Sequence, residues 1–144
     1  MTVKVLIGEL AGTRIALPAS DIRSVIKIEA LVPIPHAPVH IAGITAVRSQ
    51  ALTVIDSRAS LGLPPRPCDM DECAAVIERK GHLYALLLDR VDDVGTAQSE
   101  PAAVPGEQRA RWRSAARGMV ELDGGPAMLL DPAAIASGTK QGAA

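Results

Sequence analysis

His36, His40, Cys68 and Cys73 are the residue types a bound metal would recruit. They stand as His-x-x-x-His beside prolines and as Cys-x-x-x-x-Cys in or next to a Pro-rich stretch, and neither spacing matches a closed zinc pattern. Loop histidines and half-buried thiols are the plainer reading, so no metal is expected. A serine nucleophile needs a neighbouring histidine and a sharp strand-to-helix elbow, and Ser24, Ser49, Ser57 and Ser60 lack that context. The carboxylate groups Asp92-Asp93 and Asp69, Asp71 and Glu72 fall in polar turns or edges, where carboxylates stay solvated rather than tuned for proton transfer. No glycine-rich phosphate loop occurs. The chain therefore reads as a non-enzyme without a cofactor.

Two cationic features remain. Arg109, Arg111, Arg113 and Arg117 surround Trp112, and guanidinium groups can hold phosphates while an indole stacks on a base. Against this, the formal net charge is −1, which provides no global field for nucleic acid or an anionic membrane. Arginine stems packed on the indole are the plainer reading, and nucleic-acid binding stays a lesser alternative. The other feature is Arg48, a permanent cation at the end of an apolar run. It is either a solvated turn residue or a fixed contact at a partner surface.

The elements that must position these residues are short and β-rich. The chain has 144 residues, enough for one domain or two intimately packed small ones, and a chain of this size buries roughly 70% of its unfolded surface. Hydrophobic residues make up 48%, which argues against disorder. With one Trp, one Tyr and no Phe, the core must be aliphatic. The start has a lone Lys4 and soon reaches Glu9, so no secretory signal is expected. No apolar run approaches the ~18 residues needed to span a bilayer. A cytosolic location with reduced thiols is the expectation.

Alternation over 2–10, a turn at 11–13 and a return over 14–17 predict a first hairpin. Ser20 or Asp21 can cap a helical turn through Arg23, and 25–29 reads as strand. Pro33, Pro35 and Pro38 make 31–38 an extended connector, and 39–42 can form one helical turn with Pro38 at its first position and Gly43 at its end. The stretch 44–47 is a strand ending at Arg48, Ser49-Gln50 turns it, and 51–55 returns. A short helical or looped segment from Asp56 ends at Gly62, followed by a polar, Pro-rich loop over 64–71. Strands are then expected over 72–79 and 83–88, the latter continuous enough to be buried, with continuation past a bulge at Asp89-Arg90. The stretch 98–108 is loop, and Asp123-Gly124-Gly125 turns a last hairpin. Asp131-Pro132 can cap a short helix over 133–136. Many short strands with turn signals every eight to twelve residues favour small barrels or a sandwich.

Read as an ordered series, these pieces resemble the CheW-like coupling proteins of bacterial chemotaxis. The similarity runs from about Val5 to Ile135. The central hairpin, Gly43-Ile44-Thr45-Ala46-Val47-Arg48-Ser49 followed by Leu52-Thr53-Val54-Ile55-Asp56-Ser57-Arg58 and Leu61-Gly62-Leu63, is similar to the family's Gly-[Val/Ile]-[Ile/Thr]-Asn-Leu-Arg-Gly, followed by an apolar strand, Asp and Leu-Arg. Ala85-Leu86-Leu87-Leu88-Asp89-Arg90-Val91 is similar to its Gly-[Leu/Ile]-Val-Val-Asp-x-Val. Ile22-Arg23-Ser24-Val25, the proline connector and Arg117-Gly118-Met119-Val120-Glu121-Leu122 complete the order. The chain departs at Ala46 and Ser49, where the family has Asn and Gly, and at Ser24, where many members have Glu. Ser49 tolerates a positive φ less readily than Gly would.

The resemblance implies a mainly all-β fold: two small five-stranded SH3-like barrels packed together, with short helical segments, over 1–137, and a flexible tail at 138–144. It implies an adaptor coupling the cytoplasmic tips of methyl-accepting chemoreceptors to the regulatory domain of a CheA-type histidine kinase. Other CheW-like domains in rings are a further implied partner, and the membrane is reached only through receptors. By matching position, Ile22, Val25, Val47 and Arg48 would line a receptor-facing groove. Gly43, Ile44 and Thr45 would lie near a kinase-facing or receptor-facing surface. A scaffold of the same fold in a different signalling assembly is the alternative.

Overall fold

The computed structural model describes residues 3–63, 72–97, 102, 112 and 115–138. Strands β1 (Val3–Leu10) and β2 (Thr13–Pro18) form the first hairpin, and a 3-10 turn at Ala19–Asp21 leads to β3 (Ser24–Ile28). The central hairpin is β4 (Ile41–Val47) and β5 (Gln50–Ile55), closed by helix α1 (Ser57–Ser60). Then come β6 (Glu72–Arg79), β7 (His82–Leu88), β8 (Arg90–Ala97), β9 (Ala116–Leu122), β10 (Gly125–Leu130) and helix α2 (Pro132–Ser137).

The strands form two five-stranded sheets, ordered β8-β1-β2-β10-β9 and β3-β6-β7-β5-β4. Each curls around its own apolar cluster as a small barrel. Val5, Ile7, Ala16, Val120, Ala127 and Leu129 fill the first, and Leu52, Val54, Ala74, Val76, Ala85 and Leu87 fill the second. The residues between them in sequence point the other way. Leu6, Leu10, Ile15, Leu17, Ile55, Ile77, Leu86 and Leu88 form a third, shared core between the barrels. A strand with a barrel interior on one face and a second barrel on the other is buried twice. This is why 83–88 is a continuous apolar run rather than an alternating one. The second barrel is built from the unbroken stretch 24–88, whereas the first takes β1 and β2 from one end of the chain and β8 to β10 from the other. Two short parallel pairings, β2 with β10 and β5 with β7, complete the sheets.

Four expectations are corrected. The run over 39–42 is not a helical turn: β4 begins at Ile41, and only the bond from Ile41 N–H to the Pro38 carbonyl (3.0 Å) remains of it. Gly43 therefore lies inside β4, next to a bulge, and does not precede the strand. The 3-10 turn at Ala19–Asp21 starts at Pro18 without a side-chain cap from Ser20 or Asp21. Asp89-Arg90 is no bulge in one sheet: β7 belongs to the second barrel and β8 to the first, so the chain changes barrels across the single residue Asp89. The stretch 64–71, and of the tail 138–144 all but Gly138, lie outside the described residues.

Asp89 is correspondingly well held. Its N–H donates to the Glu9 carbonyl at 3.0 Å. Its carboxylate accepts from the Ala11 N–H (2.9 Å) and from Arg58 through Nη2 (2.6 Å) and Nε (3.2 Å). Arg58 rides on α1, whose first turn is capped by the Asp56 carboxylate on Ala59 N–H (3.1 Å). One carboxylate thus joins the tip of the first hairpin to the helix that follows the central one. Hydrogen bonding to the Asp89 carboxylate holds the Arg58 guanidinium above its ordinary pKa.

Helix α2 straps the barrels from the other side. Asp131 caps it through Ala133 N–H (3.0 Å), with Pro132 at the first position as the sequence predicts. Ser60 Oγ donates to the Ile135 carbonyl (2.7 Å), and at Gly138 (φ 76°) the chain presses on the His40 ring, where a Cβ would stand 2.6 Å from it. Burial lowers the His40 pKa below its ordinary 6.5. The unfolded chain then takes up a proton before the folded one does. The contribution of His40 to stability is complete above pH 6.5 and falls as pH drops through the lowered folded value. Melting temperatures between pH 7.5 and 5.5 are expected to fall less for His40→Gln than for the parent, and equal falls would refute this.

Candidate functional site: the open seam of the second barrel

The two end strands of the second sheet, β3 and β4, flank the seam where that barrel would close. Among the described residues β3 pairs only with β6, and β4 pairs with β5 and receives one isolated bridge from Val32 to Ile44. Beyond that bridge the seam stays open as a groove of about 370 Å³. Val25 and Ile26 of β3 form one wall, and Val47 and Arg48 at the tip of the central hairpin form the other. The floor is Leu52, Val76 and Leu83. Leu52 and Val76 belong to the barrel's own core, so the groove opens directly onto it.

The tip is set by register. Val47 pairs with Gln50, which leaves Arg48-Ser49 as a two-residue turn rather than the expected Ser49-Gln50. Both turn residues adopt left-handed backbone, at φ 51° and 69°, the pattern of a type I′ turn. The tips at Ala11-Gly12 (51°, 81°) and Lys80-Gly81 (52°, 83°) have the same form with glycine second. Arg48-Ser49 adopts it without a glycine, and such a residue pays about 1 kcal/mol for that conformation.

Among the described residues that line the groove, charge has one sign. Its lining contains Arg23 and Arg48 and no carboxylate. Arg23 is ion-paired with Glu78 outside the lining, whereas no hydrogen bond or ion pair joins Arg48 to another described residue. A trough with an aliphatic floor, a polar rim and an exposed guanidinium suits a segment that offers an aliphatic or aromatic side chain next to a carboxylate.

Of the residues singled out in the sequence, Val25 (44% exposed), Val47 and Arg48 come together here. Ile22 does not: it is half-buried against the shared core and absent from the lining. Strand alternation separates the other three. Gly43 and Thr45 point inward and are buried, while Ile44 (39% exposed) faces out beside Val32 (66%). The floor residues Leu52, Val76 and Leu83 were not anticipated, because inward-facing aliphatics give no sequence signal that one barrel end is left uncovered.

The lesser candidates resolve as structure. Trp112 is 2% exposed in the shared core, unavailable for stacking on a base. Arg117 pairs with Asp131 at 3.1 Å, and Arg109, Arg111 and Arg113 lie outside the described residues. Cys73 is a half-buried free thiol in β6; Cys68, Asp69 and Asp71 also lie outside. Among the described residues no group of three or more His, Cys, Asp or Glu could hold a metal, and no helix is long and apolar enough to cross a membrane.

Comparison with known proteins agrees with this architecture. The family model for the CheW-like domain matches residues 4–140. "Chemotaxis protein CheW" of Rhizobium meliloti (strain 1021) is 28% identical over 93 residues, 64% of this chain and 60% of that protein's length. "Probable chemotaxis protein CheW" of Rhizobium etli is 29% identical over 128 residues, covering 86% of this chain and 83% of that one. The crystal structure of the scaffolding protein TtCheW from Thermoanaerobacter tengcongensis superposes with a TM-score of 0.78 at 23% identity, over 91% of this chain and 90% of that one. With the family model spanning nearly all of the described strands and both barrels present, the chain belongs to the CheW-like domain family.

Proposed function

We propose that the protein is a non-catalytic adaptor that couples the cytoplasmic tips of methyl-accepting chemoreceptors to the regulatory domain of a CheA-type histidine kinase in chemotaxis signalling. The observation that carries this reading is the open seam, where Val25, Val47 and Arg48 frame a trough with an aliphatic floor; among the described residues Arg48 has no polar partner and the lining has no carboxylate. The chemotaxis names of the two Rhizobium relatives support it. In this reading the groove takes the receptor. The outward face of β4 at Ile44, with buried Gly43 and Thr45 beneath it, takes the kinase or another CheW-like domain. Residues 1–137 act as one unit, in the cytoplasm, meeting the membrane only through receptors.

Arg48→Ala and Val25→Asp are expected to weaken binding of a purified chemoreceptor cytoplasmic fragment by roughly tenfold or more, the range of a central contact. Both side chains are exposed, so melting temperatures should stay within about 2 °C of the parent. If both variants bind like the parent in titration calorimetry, the groove is not the docking site. Ile22→Asp is the wrong probe, because it would put a charge against the shared core.

A second reading, the same scaffold serving a different signalling assembly, is favoured by Ser24 in the groove lining, where many family members carry Glu. Failure to bind any receptor fragment or CheA-type kinase of the host, with the fold intact, would favour it.

A further inference from the structure

Three hairpin tips in this chain share one backbone pattern, and two of them meet its demand with glycine at the second position. The third stands on the groove rim and uses Ser49, at φ 69°, directly after the cation that the docking reading depends on. A non-glycine pair held left-handed is strained and persists fully only where the surroundings over-determine it, and such strain concentrates where a protein binds or switches. Here the β4–β5 ladder fixes the register up to Val47 and Gln50, and beyond it Arg48 has no polar partner among the described residues. We propose that Ser49 is the positioning residue for Arg48: its tolerance of left-handed backbone sets the fraction of molecules in which the guanidinium stands at the groove rim. The proposal rests on the docking reading above and adds a residue that acts only through Arg48.

The chemistry predicts an order. Glycine and asparagine enter the left-handed region readily, serine less so and β-branched valine least. For a protein whose competent state is partly populated, apparent affinity scales with that population. Receptor-fragment affinity is therefore expected to rank Ser49→Gly and Ser49→Asn at or above the parent, and Ser49→Val about fivefold or more below it. In an Arg48→Ala background the same series should be flat, because the residue through which Ser49 acts is gone. Amide relaxation dispersion in the free protein gives a readout independent of any partner. Residues 47–50 should show microsecond-to-millisecond exchange that Ser49→Gly quenches, while the Lys80-Gly81 tip stays quiet.

The outcomes separate. If Arg48→Ala and Val25→Asp both bind like the parent, the docking reading fails and takes this proposal with it; if only Arg48→Ala does, this proposal alone is overturned. If Arg48→Ala weakens binding but the Ser49 series is flat in the parent background, or keeps its full spread without Arg48, only the positioning role is overturned. Absence of exchange at 47–50 in the parent would overturn it as well.

Discussion

Asp89→Ala is expected to cost about 3 kcal/mol of folding stability, the lower end of what removal of one partner from a buried ion pair costs. The lower end applies because Arg58 and Asp89 are still 16% and 12% exposed. Three donors lose their acceptor at once: Arg58 Nη2 and Nε, and the Ala11 N–H at 2.9 Å. For a urea slope of about 2 kcal/mol/M, the unfolding midpoint should fall by roughly 1.5 M. Asp89→Asn, which keeps an acceptor for Ala11 but not the charge, should fall in between. A midpoint shift below about 0.3 M for Asp89→Ala would mean that the barrels are held by their shared apolar core alone.

Gly43→Ala is expected to be nearly as damaging, by about 2–3 kcal/mol, through a different mechanism. Gly43 lies at φ 154°, a region that residues with a Cβ avoid. The added methyl would overlap the Val32 carbonyl oxygen and stand 2.9 Å from its carbon, with Leu31 Cδ1 at 3.0 Å. The obstruction is backbone, not the end of a flexible side chain, so relief requires moving the proline connector off β4. That would break both hydrogen bonds of the Val32–Ile44 bridge, each 2.9 Å long. Calorimetric melting should show a fall of roughly 8–12 °C for a domain of this size. Receptor binding should persist in the fraction that remains folded, since the groove lies beyond the bridge. Wild-type stability in the alanine variant would show that the connector can lift away freely.

Much of this architecture is legible in the sequence because the determinants are local. Glycine second in a two-residue turn marks the hairpin tips at Gly12 and Gly81, Asp131-Pro132 marks the start of α2, and alternation separates Val5 and Ile7 from Leu6. What misleads is wherever tertiary pairing overrules local signal. Pro38 before an apolar run looks like a helix start, but pairing of Ile41 with Ile55 draws the chain into β4 three residues later. The turn at Arg48-Ser49 is misplaced by one residue because neither residue advertises left-handed backbone. Asp89 resembles a bulge because the sequence on either side is strand-like, and only the sheet order reveals that the two strands belong to different barrels. For the candidate site, the exposed rim is recognisable through family pattern. The floor is not, since a core leucine and a groove leucine are the same residue in sequence.

The insertion of one barrel within the other also fixes an order of events during synthesis. All five strands of the second barrel lie within 24–88, so it can close while the ribosome is still making the rest of the chain. The β1–β2 hairpin emerges first and must wait longest. Its parallel partner β10 begins at Gly125, more than a hundred residues after β2. Until then Val5, Ile7 and Ala16 have no barrel to fill, and the nascent chain carries an exposed apolar hairpin on a finished neighbour. Pairings so distant in sequence are the slow ones, which makes capture of the N-terminal hairpin by the C-terminal one the expected last step of folding.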